Sequence, residues 1–138
     1  TLATDVICGF PGETETAFKE TCSLLQTINP DVVNISKFFS RPHTPASKMP
    51  QLKFQVIKQR SKQISQLAHH LTYQRNKIWR QWEGSALVDE KGRGASWIAR
   101  NHAYKPLILK TPSNLMGRFI NVRVTNIHST YLDAQPMN

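Results

Sequence analysis

At Glu83-Gly84 the sequence changes period, and that change limits what the chain can fold into on either side. From Leu52 to Trp82 no proline or glycine intervenes. Ile57, Ile64, Leu67, Ala68, Leu71, Ile78 and Trp82 share one helical stripe, with Lys58, Lys62, Arg75, Lys77 and Arg80 available to the other faces. The spacing predicts one long helix, or two with a bend, entered at Lys48-Met49-Pro50. Adjacent His69 and His70 project about 100° apart on such a helix and cannot chelate one metal.

After Gly84 the pattern is that of strands. Ala86-Leu87-Val88 runs into the polar, glycine-rich turn Asp89–Gly94. Ser96–Arg100, Leu107–Lys110, Arg118–Ile127 and Thr130–Ala134 read as further strands. Ile120, Val122 and Val124 alternate with Asn121, Arg123 and Thr125, the pattern of a sheet wet on one face. Five short strands in so small a segment predict a closed or partly open barrel of oligonucleotide-binding type, which is expected to lean on the preceding helix.

The beginning of the chain is α/β in character. Thr4–Cys8 reads as a short buried strand, expected to be parallel and covered on both faces. Cys8-Gly9-Phe10-Pro11-Gly12-Glu13-Thr14 reads as its exit and a tight turn into a helix capped by Thr14. Ala17, Phe18, Thr21, Cys22, Leu24, Leu25 and Ile28 recur at helical spacing until Asn29-Pro30. Val32–Phe39 is a second strand, with Val33, Ile35 and Phe39 on one side and Asn34, Ser36 and Phe38 on the other. Strand, helix and strand form a βαβ unit. The mixed polarity of the second strand predicts that one of its faces lines a site. Ser40–Pro45 follows as a restricted loop, in which Arg41 is available to an anion or carboxylate or to a structural ion pair, and His43 is an exposed loop residue.

Composition narrows the function classes. The formal net charge is +9, and residues 51–82 carry seven basic groups and no acidic one. Residues 83–138 contribute +3 and residues 1–50 contribute −1. That asymmetry points to a polyanion, RNA or DNA ahead of a membrane surface, although a solvated basic helix would look the same. No apolar run is long enough to span a bilayer. Cys8 and Cys22 are too few for a disulfide framework or zinc site and are expected to be reduced, with no metal bound. The chain opens without Met and almost directly on a strand, so it is expected to be part of a longer protein.

Lys91, Arg93, Arg100, Lys105, Lys110, Arg118 and Arg123 fall near turns or on exposed strand positions, where they can track phosphates. Tyr104, flanked by His102 and Lys105, is a stacking candidate, whereas Trp97 is expected to fill the barrel. No base-reading code is visible, so recognition is expected to rest on shape and backbone.

These pieces resemble a family. Thr4–Thr14 and Phe39–Met49 are similar to two strand–loop segments of the radical S-adenosylmethionine methylthiotransferases, and the region after Gly84 is similar to their TRAM domain. Ile7-Cys8-Gly9-Phe10 and Asn34–Phe38 look most like the archaeal and eukaryotic branch, which methylthiolates threonylcarbamoyladenosine beside the tRNA anticodon. His43 departs from the family, which usually has glycine there.

The resemblance implies the last βαβ of a partial (β/α) barrel over residues 1–50, a connecting helix over 51–82 and an RNA-binding TRAM barrel over 83–138. It implies a parent transferase using S-adenosylmethionine and two 4Fe-4S clusters, whose cysteine motifs are not in this chain; such clusters need thiolate ligands, so the piece alone is expected to be inactive. By the same resemblance Ile7, Gly9, Phe10, Phe38, Phe39, Ser40 and Arg41 would border S-adenosylmethionine, and tRNA would be the partner of a cytoplasmic monomer. The alternative is a non-catalytic module that binds RNA or ribosomes.

Overall fold

The computed structural model describes residues 1–137. They fall into two compact units, one of residues 2–71 and one of residues from 72 onward together with Thr1.

The first unit contains β1 (Ala3–Cys8), α1 (Glu15–Ile28), β2 (Val32–Lys37), a short 3-10 turn (Pro45–Lys48) and the first five turns of α2 (Phe54–Asn76). Local punctuation sets α1. Thr14 Oγ1 accepts the Ala17 N–H at 3.1 Å, Glu15 lies at the positive end of the helix dipole, and Asn29 closes the helix at φ 44°. Strands β1 and β2 pair in parallel, from Ala3 beside Val32 to Cys8 beside Lys37. Asp31 starts them together, its carboxylate accepting the Leu2 N–H and its own N–H reaching the Leu2 carbonyl.

The helices pack on one face of this pair. Cys8, Phe18, Leu25 and Ile64 form the buried centre, flanked by Val6, Val33, Ile35, Leu67 and Leu71. Each fully buried aliphatic side chain contributes about 1.5–3 kcal/mol. The opposite face, Ala3, Asp5, Ile7, Val32, Asn34 and Ser36, is exposed throughout. Double coverage of β1 was expected and is not found, because α1 and α2 occupy the same side. Nor does β2 reach Phe39: with β1 ending at Cys8 there is no partner beyond Lys37, and only the Phe38 N–H continues the ladder, to the Cys8 carbonyl at 2.8 Å.

The second unit is a closed five-stranded barrel, as expected. Strands β3 (Glu83–Lys91), β4 (Ser96–Arg100), β5 (Pro106–Lys110), β6 (Phe119–Ile127) and β7 (Leu132–Pro136) close in the order β3-β4-β5-β7-β6. Only β5 and β7 run parallel. Ala86, Val88, Ala99, Leu107, Leu109, Val122, Val124, Ile127, Leu132 and Ala134 fill the interior together with Trp79. Trp82 and Trp97 pack against that core, Trp97 in the filling role expected of it.

One residue of the helical stripe is displaced. After Asn76 the helix tightens into a 3-10 turn over Lys77–Trp79, which rotates the register. Trp79 therefore turns inward, whereas Ile78 is 66 % exposed.

Candidate nucleic-acid interface and cofactor wall

The turn after β1 is held by a buried ion pair. Glu13 accepts the Gly9 N–H at 3.1 Å, and Arg60 donates to the same carboxylate oxygen at 2.7 Å and to the Glu13 carbonyl at 2.9 Å. Arg60 also reaches Glu15 at 3.3 Å and lies over the Phe18 ring. Gly9 has a double reason to be glycine. Its φ is +83°, and a Cβ there would come within 2.5 Å of Ile57 Cγ1 on α2.

Around this turn the residues expected to border S-adenosylmethionine divide into two kinds. Ile7, Phe10 and Phe39 expose apolar surface, Phe39 most of all at 84 %. Phe38 is half-buried and meets Phe10 edge to face at 5.2 Å. The backbone N–H groups of Gly9 and Phe38 are already engaged within the chain. Ser40 is half-buried, while Arg41 is exposed and makes no ion pair among the described residues. Thr44 Oγ1 donates to the Arg41 carbonyl at 2.8 Å, and His43 takes a left-handed φ of 63°, a conformation easier for glycine. The arrangement leaves apolar surface uncovered at Ile7 and Phe39.

It does not fit an iron–sulfur cluster. Cys8 is wholly buried and its thiol is pushed up by that burial, with the Glu13 carboxylate adding to the effect. Cys22 is half-buried, and burial likewise raises its thiol. Among the described residues no group of three or more His, Cys, Asp and Glu could hold a metal ion.

On the barrel, four basic residues gather at one end. Lys91 closes β3, Arg93 lies in the β3–β4 turn, Lys110 ends β5, and Arg118 precedes β6. Lys110 pairs with Ser96, the Thr111 N–H reaches the Ala95 carbonyl at 3.0 Å, and the Arg118 carbonyl accepts the Val88 N–H at 2.9 Å. All four are exposed and make no ion pair among the described residues. Two other basic residues carry partners. Arg100 binds Asp89 at 3.0 Å and Glu90 at 3.6 Å, and Arg123 binds Glu83 at 2.6 Å.

Residues 85–137 match the TRAM domain family. The chain carries a TRAM domain. Over its whole length it is also homologous to threonylcarbamoyladenosine tRNA methylthiotransferases, being 35% identical over 137 residues to the one from Xenopus laevis, covering 99% of this chain and 24% of that protein. It is 34% identical to the human protein of that name, over 100% of this chain and 24% of that protein, and 33% identical to the one from Danio rerio, over 99% and 25%. The chain thus spans about a quarter of the length of these relatives.

Within the TRAM domain Lys105 is not on the surface expected of it. It is 4 % exposed, and its ammonium donates to Asn76 Oδ1 at 2.8 Å. Tyr104, by contrast, is 67 % exposed, with the Arg100 guanidinium over its ring at 4.6 Å. Asn101 holds this loop by accepting the N–H groups of Ala103 and Lys105 on its side-chain oxygen. Sequence reasoning missed two residues that matter to the sites. Arg60 was one basic group among seven, and Phe119, 74 % exposed, was overlooked although the alternation of Ile120, Val122 and Val124 points it outward. No helix among the described residues is long and apolar enough to cross a membrane.

Proposed function

We propose that this chain is the C-terminal part of a tRNA methylthiotransferase that acts on threonylcarbamoyladenosine. In this reading residues 1–50 belong to the catalytic domain, 51–82 connect, and 83–138 bind tRNA. The whole-length homology to enzymes of that name, together with a TRAM domain, carries the proposal. Lys91, Arg93, Lys110 and Arg118 support it, because basic groups without acidic partners gain most from phosphate contact and counterion release.

The division of labour follows from the residues present. The barrel end binds the RNA backbone and positions it. The exposed Ile7 and Phe39 surfaces shield one side of an S-adenosylmethionine molecule from water, and Arg41 is free to meet its carboxylate. Bound S-adenosylmethionine and the clusters of the catalytic domain would supply the radical chemistry. In this reading the cluster ligands lie outside this chain and the enzyme works in the cytoplasm, where its tRNA substrate is.

Disrupting the encoding gene and analysing digested tRNA by mass spectrometry tests the activity. The expected result is loss of the methylthio group, with threonylcarbamoyladenosine itself retained. An unchanged level of the methylthiolated nucleoside overturns the proposal. Titrating the chain with tRNA over a salt series tests the binding: affinity that falls steeply with salt is expected, and absent or salt-insensitive binding removes the RNA role.

A further inference from the structure

Register places three side chains in one row across the outside of the barrel. Arg100 of β4 lies beside Leu87 of β3, and Leu87 lies beside Phe119 of β6. The neighbours Ala86, Val88 and Ala99 are buried inside, so Leu87, Phe119 and Arg100 belong to the outer surface by the alternation of the strands. Tyr104 extends the row under the Arg100 guanidinium. Its two ends are therefore exposed aromatic rings, with Phe119 about 10 Å from Arg100, two strand spacings away.

Resting on the RNA-binding reading above, we infer that the row Tyr104–Arg100–Leu87–Phe119 is a stacking platform for unpaired bases of single-stranded RNA. Two observations converge on that occupant. An exposed phenyl ring on a short barrel is apolar surface that water disfavours, and a base offers it a flat partner. The residue next to it in the chain, Arg118, is exposed and has no acidic partner among the described residues, which leaves it available to a phosphate of the same strand. Asp89 and Glu90 both pair with Arg100, at 3.0 and 3.6 Å, so that cluster keeps one net negative charge and leaves phosphate contact to Arg118.

Tyr104 is also held in place before any ligand arrives. It sits at φ 61°, a costly conformation for a residue with a side chain, and its N–H is fixed to the Asn101 carbonyl at 2.8 Å. One face of its ring meets the guanidinium and the ring remains 67 % exposed, so a base can stack on the other. A ring already ordered loses little freedom on binding. Bases in a duplex present no free faces to such a row, so the platform selects loops and single strands.

The test is fluorescence anisotropy of the full chain with a labelled, unstructured RNA of about ten nucleotides and with the same RNA annealed to its complement. The single strand is expected to bind more tightly than the duplex. Phe119→Ala and Tyr104→Ala are each expected to weaken single-strand binding roughly five-fold or more, without changing its salt dependence. Phe119→Trp and Tyr104→Phe keep a ring and are expected to bind as the parent does. Arg118→Ala, a phosphate contact, is expected to reduce the salt slope by about 1. Circular dichroism confirms that these exposed substitutions leave the fold intact. If the parent binds tRNA but both alanine variants match it, or weaken duplex binding equally, the platform is overturned and the RNA-binding reading stands. If the parent binds no RNA, both fall.

Discussion

Arg60 of α2 holds the Glu13 carboxylate at 2.7 Å, with both side chains almost out of solvent at 8 % and 13 % exposure. The same carboxylate receives the Gly9 N–H, so the helix and the turn after β1 are joined through one acidic group. Removing one member of a buried pair leaves the other desolvated and uncompensated. Arg60→Ala is expected to destabilise residues 2–71 by about 3–5 kcal/mol in urea unfolding. Arg60→Met combined with Glu13→Gln should recover much of that loss, and a double variant as unstable as the single one would refute the pairing.

Gly9→Ala places a Cβ 2.5 Å from Ile57 and imposes a positive φ on a residue with a side chain. The expected cost is about 1–3 kcal/mol, read from the midpoint of chemical unfolding. Adding Ile57→Ala removes the clash but not the backbone strain, so only part of the loss should return.

Lys105 is buried, with its ammonium on Asn76. Lys105→Ala leaves Asn76 without a partner it now has in the interior, and is expected to lower the melting temperature while leaving the salt dependence of tRNA binding unchanged. Asn76 also donates to the carbonyls of His128 and Ser129, at 2.8 and 3.2 Å. Asn76→Ala should therefore cost at least as much, about 1–3 kcal/mol for each buried group left unpaired.

Substituting Lys91, Arg93 and Arg118 together by alanine should weaken tRNA binding and reduce the salt slope by about 3 if each neutralises one phosphate. Arg123→Ala, whose charge is engaged by Glu83, should change the slope less. Equal effects from Arg123 and from any one of the other three would contradict the distinction between paired and unpaired basic groups.

The Cys8 thiol is raised above its ordinary value of 9.0, chiefly by burial, so the folded state keeps its proton longer than the unfolded chain does. Its contribution to stability is complete below pH 9 and is lost as pH rises through the raised folded value. Urea midpoints should accordingly fall as pH rises above 9. Cys8→Ala should flatten that fall, and an undiminished slope would assign it elsewhere.

Much of this was readable from local pattern. Thr14 and Asn29-Pro30 carry their signals within a turn of α1, and the alternation at Ile120–Thr125 marks a half-wet strand without reference to any neighbour. The failures have a common cause in partners distant along the chain. Lys105 sits in a polar loop, and nothing near it announces that Asn76 will receive its ammonium. Phe39 belongs to an apolar run, but where β2 stops depends on how far β1 extends beside it. The N-terminal wall was marked out by resemblance, whereas the separation of paired from unpaired basic residues required the barrel's register.

The last strand is not at the edge of the ring. Because β7 lies between β5 and β6, the ring cannot close until Leu132–Pro136 have left the ribosome. Nascent chains that stop short of residue 132 carry four strands with a gap where the fifth belongs. A late frameshift would thus remove more than a tail: it would expose the open edges of β5 and β6 and hand the quality-control proteases an unsealed barrel.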